Sequence, residues 1–154
     1  MELQARMAAS EFISATCQLL DEEKFKDFLA LCAPDFEYRV TAQSPELGTR
    51  MTWLEHDRAG FESMLGMLPQ HVRSDAVFSR HATVSRMVQL EPASVEVRSK
   101  LAVFQTDLKG SSAVLAVGTY IDVLDMTTPE APVLRSRELQ LDTRDLGVGI
   151  HVPL

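Results

Sequence analysis

Histidine, cysteine and acidic residues are the side chains of this sequence that could bind a metal or move a proton. The histidines lie far apart, and none is three to five residues from another: His56, His71, His81 and His151. No Cys-x-x-Cys or Cys-x-His pair occurs, although zinc and iron–sulfur sites are typically built from such short spacings. We therefore expect no metal and no other cofactor on this chain.

Acid–base chemistry needs fewer groups, and three residues are candidates for it: Asp35, Tyr38 and His81. A histidine and an aspartate held in an apolar pocket have shifted pKa values and can act as general acid and base. Alternatively the three are structural. In that case Asp35 closes a helix–strand turn, Tyr38 packs at its edge, and His81 is hydrogen-bonded within a strand. The sequence leaves both interpretations open because it does not show which way the side chains point.

The composition indicates one globular domain over residues 1–154, with 45% hydrophobic residues and a formal net charge of −7. Scattered Lys and Arg residues argue against nucleic-acid binding, which needs a concentrated basic surface. The apolar runs are too short to span a membrane, and no signal peptide is evident. Cys17 and Cys32 fall at apolar helix positions. We expect them to be buried thiols in a cytoplasmic protein.

The first part of the chain has the apolar spacing of helices. Asp21 is a candidate cap for a second helix, which Pro34 would end. Thr52 and Glu55 form a possible capping box for a third helix. The apolar stripes of the three helices are Phe12, Ile13, Thr16, Leu19 and Leu20 within residues 3–20; Phe25, Phe28, Leu29 and Cys32; and Phe61, Met64, Leu65 and Leu68, followed by Pro69.

The pattern then changes to the alternation of strands. Residues 36–42 predict a first strand, and residues 43–50 predict a loop. Four longer strands follow, at residues 80–90, 94–108, 113–126 and 131–143. In the second of these, one face carries Val95, Val97, Leu101 and Val103, and the other carries Glu96, Arg98 and Lys100. We predict an α+β cone in which three N-terminal helices pack into a long, curved, antiparallel sheet.

Several segments resemble the small (β) subunit of the Rieske-type ring-hydroxylating oxygenases. "LLDEEKFKDFLALCAPDFEYRV" is similar to that family's opening helix and strand, and "SRHATVSRMVQL" to its Arg-His strand. "VEVRSKLAVFQTD" resembles the next strand, and "VGTYIDVLD" with "LRSRELQLD" resembles a Gly-x-Tyr-x-Asp hairpin closed by an Arg-rich strand. The apolar tail "LGVGIHVPL" is in the position of the apolar C-terminus of that family. The segments "TWLEHDR" and "LPQH" resemble, more loosely, the methanesulfonate monooxygenase branch of the family.

The resemblance implies an NTF2-like cone and a partner. In this family a large α subunit carries a Rieske [2Fe–2S] cluster and a mononuclear iron, whereas the small subunit carries neither. Small subunits typically form a trimer beneath the α subunits, in an α3β3 assembly. The implied function is that of a non-catalytic assembly subunit in the hydroxylase component of a mono- or dioxygenase, in the catabolism of aromatic hydrocarbons.

The strand that carries His81 is expected to contact other subunits. Strand alternation places Arg80 and Arg86 on one face and His81 on the other. Arginine forms forked contacts with carboxylates and is common at interfaces. We therefore predict that Arg80, Arg86 and His81 contact an adjacent β subunit or the α subunit.

Two other functions fit the same fold. The first is a stand-alone isomerase or dehydratase of a small hydrophobic compound, which would use Asp35, Tyr38 and His81 in an open pocket. The second is a binding module without catalysis. A small ligand that stabilises the chain without any large partner would favour the binding module.

Overall fold

The computed structural model describes residues 1–68, 75–147 and 153–154. Its elements are, in order, α1 (Leu3–Asp21), α2 (Phe25–Ala30), β1 (Cys32–Ser44), β2 (Thr49–Asp57), α3 (Arg58–Met67), β3 (Val77–Glu91), β4 (Ser94–Thr106), β5 (Ser112–Asp125) and β6 (Val133–Leu141). Pro69 and most of the apolar tail, residues 148–152, lie outside the described residues. The four long strands predicted from alternation are β3 to β6.

Helix α1 is amphipathic, as its apolar spacing predicts. Its buried residues are Ala9, Phe12, Ile13, Thr16, Cys17 and Leu20. The prediction that Asp21 caps the second helix is wrong, because Asp21 is the last residue of α1 and its carboxylate binds Arg80 of β3. The N-cap of α2 is Lys24, which makes no side-chain cap.

The segment between α2 and α3 differs most from the sequence prediction. Cys32 begins β1 instead of ending α2. Thr52 and Glu55 lie in β2, so they do not form a capping box. Asp57 caps α3, and its Oδ1 accepts a hydrogen bond from the Gly60 N–H at 2.8 Å. The pairing of β2 with β1 decides this conformation, because a partner strand overrides a local capping pattern.

The six strands form one sheet in the order β2-β1-β6-β5-β4-β3. All neighbours are antiparallel except β1 and β6, which run parallel. The sheet is therefore mixed, not antiparallel throughout as predicted. Parallel neighbours need a long connection, and residues 45–132 provide it here.

Register shifts in every strand pair curve the sheet around the helices. The inner face of the sheet and the helices share a core. At one end of this core, aromatic rings pack together, with Phe61 at 5.8 Å from Phe28, 5.5 Å from Phe36 and 5.0 Å from Tyr38 between centroids. The α+β cone predicted from the sequence is confirmed.

Both cysteines are buried and free, Cys17 in α1 and Cys32 at the start of β1. Burial raises the pKa of both thiols, that of Cys32 to about 12, so they are protonated at neutral pH. None of the described helices has the length and apolarity needed to cross a bilayer.

Gly118 in β5 allows β6 to approach closely. A Cβ atom at this position would lie 2.5 Å from the backbone oxygen of Gln140 and 3.2 Å from Cδ1 of Leu139. The contact is with backbone paired in the sheet, so the strand cannot yield easily. The glycine of the Gly-x-Tyr-x-Asp pattern is therefore required sterically.

We expect Gly118→Ala to lower the free energy of unfolding by about 1–3 kcal/mol, because the added methyl group overpacks the β5–β6 pair. Urea denaturation followed by circular dichroism would measure it. The matched control is Gly66→Ala in α3, where a Cβ atom meets nothing within 4 Å. The control is expected to be neutral or stabilising by up to about 1 kcal/mol. Equal stability of the two variants would contradict the steric argument.

Candidate functional site

A buried ion pair crosses the inner face of the sheet. Arg137 of β6 lies directly opposite Asp122 of β5. Its Nε donates to Asp122 Oδ1 at 2.7 Å and its Nη2 donates to Oδ2 at 2.9 Å. Both side chains are fully inaccessible to solvent. This forked geometry is the strongest arrangement for an arginine and a carboxylate.

Neighbouring groups complete the surroundings of Arg137. Its Nη2 also donates to Thr16 Oγ1 of α1 at 2.9 Å, and the Thr16 hydroxyl donates to the Ile13 carbonyl. The guanidinium lies 4.0 Å from the centroid of the Tyr120 ring, within cation–π distance. Arg137 thus connects β5 and β6 to α1 through a single side chain.

A second ion pair connects α1 to β3. Arg80 Nη1 donates to Asp21 Oδ1 at 2.7 Å, and the backbone N–H of Arg80 also donates to this carboxylate. The Arg80 side chain is 1% exposed. Its Nη2 donates to the carbonyl oxygen of Pro153, and Tyr38 Oη lies 3.5 Å from that of Leu154. Residues 153–154 therefore lie against the interior of the cone.

Burial determines the protonation of the interior. It raises the pKa of Tyr38 to about 12, although Arg137 and Arg80 oppose the shift. It raises the pKa of Tyr120 as well, and that of Asp122, whose charged form Arg137 favours. Both phenols are therefore neutral at physiological pH, and the Asp122 carboxylate forms an ion pair with Arg137. The arrangement suits a rigid polar core better than proton transfer.

Several buried polar atoms have no hydrogen-bond partner within the described part of the chain: Arg80 Nε, Ser99 Oγ, Tyr120 Oη and Arg137 Nη1. Such atoms are uncommon in folded proteins. All four belong to buried residues of the sheet, and two of them are atoms of the paired arginines.

The three candidate catalytic residues do not come together. Tyr38 is buried on the inner face. His81 is exposed on the outer face, where Ser79 Oγ lies 2.9 Å from its Nε2 and the Phe104 ring packs 5.1 Å away. Asp35 is exposed where the register between β1 and β6 shifts. Opposite faces of one sheet cannot share a pocket, so the geometry does not support catalysis by these three residues.

The predicted arrangement of Arg80 and Arg86 on one face is wrong. A register shift between Val84 and Arg86 breaks the alternation of β3. Arg80 faces the core, whereas Arg86 is exposed on the outer face together with His81. Arg80 therefore binds within its own chain. The role of Arg86 and His81 at an interface stays a prediction.

Sequence reasoning missed the pair formed by Asp122 and Arg137. A signal was present, because strand alternation places Asp122 in phase with Tyr120 and Leu124, and Arg137 in phase with Leu139. A charged residue on each of two apolar faces suggests that the two charges meet. Among the described residues, no three His, Cys, Asp or Glu side chains are grouped so that they could hold a metal ion.

We expect Asp122→Asn to lower the free energy of unfolding by about 3–5 kcal/mol, because it leaves the Arg137 charge buried without a counter-charge. The control is Arg39→Gln, which removes the partly exposed 3.3 Å pair with Glu138. This variant should cost less than about 1 kcal/mol. If Asp122→Asn does not fold, the double variant Asp122→Leu/Arg137→Met should, since it removes both charges together. Equal losses in Asp122→Asn and Arg39→Gln would contradict the role of the pair.

Stability should fall steeply in alkaline solution. Tyr38, Tyr120 and Cys32 have raised pKa values in the folded state. The unfolded chain therefore loses these protons first, above pH 9.0 for the thiol and pH 10.0 for the phenols. Each group makes the free energy of unfolding decrease by up to about 1.4 kcal/mol per pH unit. Its stabilisation is complete below the unfolded pKa and disappears as the pH rises towards about 12.

The variant Tyr38→Phe isolates one of these groups. Urea denaturation between pH 8 and 11 should show that the free energy of unfolding declines less steeply with pH for this variant than for the unchanged chain. The difference in slope should correspond to the release of up to about one proton. Comparing slopes cancels the titration of lysines and arginines common to both chains. Identical slopes would show that the Tyr38 phenol ionises equally in both states.

Comparisons with known proteins agree with this architecture. The profile of the ring hydroxylating beta subunit family matches residues 15–147. The chain is 34% identical over 148 residues to the 2-aminobenzenesulfonate 2,3-dioxygenase subunit beta of Alcaligenes sp, covering 96% of this chain and 98% of that one. It is also 34% identical over 163 residues to the methanesulfonate monooxygenase hydroxylase subunit beta of Methylosulfonomonas methylovora, covering 98% and 90%.

A solved structure supports the fold. The beta subunit of a protein assigned as an aromatic-ring-hydroxylating dioxygenase, from Novosphingobium aromaticivorans DSM 12444, superposes with a TM-score of 0.82. The match has 20% identity and covers 97% of each chain. At this identity the superposition establishes the NTF2-like fold alone. The profile match and the two long alignments establish more, and from them we conclude that this chain belongs to the ring-hydroxylating beta subunit family.

Proposed function

We propose that this chain is the non-catalytic assembly subunit of a Rieske-type oxygenase. The observation that carries the proposal is the interior of the cone, where the polar side chains bind one another. Arg137 binds Asp122 and Thr16, and Arg80 binds Asp21 and the carbonyl oxygen of Pro153. An active site instead needs polar groups that converge on an accessible cavity. Membership of the beta subunit family supports the same conclusion.

The proposed partner is a large α subunit that carries a Rieske [2Fe–2S] cluster and a mononuclear iron. The described residues of this chain do not fit either group, because Cys17 and Cys32 are buried in an apolar core and no cluster of metal ligands accompanies them. The relatives are beta subunits of a dioxygenase and a monooxygenase, which supports an α partner. We propose an α3β3 assembly in the cytoplasm, where free cysteines are normal.

We further propose that the holoenzyme oxidises an organosulfonate. Both 34%-identical relatives are named for sulfonates, one aromatic and one aliphatic. In this proposal the substrate binds to the α subunit, so this chain contributes to assembly and stability but not to substrate contacts.

Co-expression of the tagged chain with a candidate α subunit tests the proposal. We expect the two chains to co-purify, with iron and a [2Fe–2S] absorption spectrum in the complex and no turnover by the small chain alone. With a reductase component supplied, an arylsulfonate should stimulate oxygen uptake more than the matching carboxylate. Turnover per assembled complex should be unchanged in His81→Ala, because in this proposal the reaction takes place on the α subunit.

Two outcomes would overturn parts of this account. Turnover of a small compound by the isolated chain that disappears in His81→Ala or Asp35→Asn would favour the isomerase or dehydratase function. Co-purification with a preference for the carboxylate would leave the subunit role intact and refute the organosulfonate proposal alone.

A further inference from the structure

Residues 153–154 lie across the concave side of the sheet. The carbonyl oxygen of Pro153 accepts a hydrogen bond from Arg80 Nη2 of β3, and that of Leu154 lies 3.5 Å from Tyr38 Oη of β1. Three strands separate β3 from β1 in the sheet. Consecutive Cα atoms are only about 3.8 Å apart, so two residues reach both strands only from inside the curve. Leu154 is 5% exposed and belongs to the core.

The contacts of Arg80 leave one of its donors unused. Its Nη1 binds Asp21 at 2.7 Å and its Nη2 binds the Pro153 carbonyl, but its Nε has no partner among the described residues. In an arginine, Nε and Nη2 point the same way and together fit the two oxygens of one carboxylate. Arg137 uses the same two atoms on Asp122. In Arg80, a single carbonyl oxygen therefore occupies a fork that suits two oxygens.

Further donors surround the same interior. Tyr38 lies next to Arg137 in the β1–β6 register, and Ser99 lies opposite Tyr120 across β4 and β5. Burial raises the pKa of both phenols, and the charges of Arg137 and Arg80 oppose the shift, so both arginines lie within electrostatic range of both phenols. The hydroxyls of Ser99 and Tyr120 have no partner in the described ranges of the chain. The interior therefore offers donors to a group that brings acceptors.

We propose that the interior of the cone binds a small apolar carboxylate, whose place residues 153–154 occupy in this structure. The two carboxylate oxygens bind Nε and Nη2 of Arg80, and the apolar body takes the volume of the Leu154 side chain. Asp21 binds Nη1 of the same guanidinium, and its side chain is 23% exposed, so solvent weakens its repulsion of a second carboxylate. The inference goes beyond the proposed function and does not depend on it, because binding here involves neither catalysis nor a partner chain.

Deletion of Pro153 and Leu154 tests the proposal, with 4-methylpentanoate as the probe. This carboxylate carries the branched end of a leucine side chain. Isothermal titration calorimetry should give the shortened chain an affinity at least about tenfold higher than that of the unchanged chain, because the segment no longer competes for the site. The neutral 4-methylpentanamide has nearly the same shape without the charge, and it should bind at least about tenfold more weakly than the carboxylate.

The variant Arg80→Lys in the shortened chain tests the fork. Lysine keeps a positive charge beside Asp21 but has no pair of parallel N–H groups, so the affinity for 4-methylpentanoate should fall by about tenfold. The matched control is Arg39→Lys, at an exposed position of β1. This control should leave the affinity unchanged.

The variant Leu154→Ala keeps the backbone of the segment and removes only its apolar side chain. If circular dichroism shows that the shortened chain is unfolded, Leu154→Ala takes its place in every comparison. It should bind 4-methylpentanoate more tightly than the unchanged chain does. The control Leu108→Ala changes a leucine that is 82% exposed and should not alter the affinity.

Several results would overturn the proposal. One is the absence of a binding signal from both the shortened chain and Leu154→Ala at millimolar 4-methylpentanoate. Others are an amide that binds as tightly as the carboxylate, or an unchanged affinity in Arg80→Lys. Unfolding of both variants would show that residues 153–154 are a fixed part of the core, which also overturns it. Capture of an α subunit by the unchanged chain tests the proposed function separately from all of these results.

Discussion

The forked ion pair between Arg137 and Asp122 is the interaction on which the interior of this protein depends. Two charges without access to water are tolerated only when their geometry and hydrogen bonds are nearly complete. Here the pair connects neighbouring strands, reaches Thr16 of α1 and stacks on Tyr120. It therefore sets how the sheet and the first helix meet. The close approach of β6 to Gly118 belongs to the same region, because Tyr120 and Asp122 follow this glycine on the inner face.

These buried ion pairs are the reason that we place the proposed function on the exterior. NTF2-like cones can enclose a pocket, but here the second pair, Arg80 with Asp21, and the contact with Pro153 hold further interior groups. On the outer face, like charges lie opposite each other across neighbouring strands, Glu37 with Asp57 and Arg86 with Arg98. A surface that carries exposed charges of both signs suits assembly, since charge complementarity selects the partner and its orientation.

Family membership and physical reasoning support each other in this protein. The profile match over residues 15–147 identifies the beta subunit family, and the structure gives a physical meaning to its patterns. In the Gly-x-Tyr-x-Asp hairpin, Gly118 permits the close approach of β6. The Tyr120 ring lies beneath the Arg137 guanidinium, and Asp122 is its counter-charge. The Arg-rich closing strand supplies Arg137. In the Arg-His strand, Arg80 joins the core and His81 faces outward.

The sequence by itself determined the α+β class, helix α1, strands β3 to β6 and the inward face of β4, because these elements have long, regular periodicity. It also determined that no short metal-binding motif is present. The tertiary structure decided the conformation of residues 49–57, where pairing with β1 outweighs a capping pattern. It separated Arg80 from Arg86 through a single register shift, which alternation cannot reveal. It also brought Asp122 to Arg137, since only strand order and register make residues that are distant in sequence into neighbours.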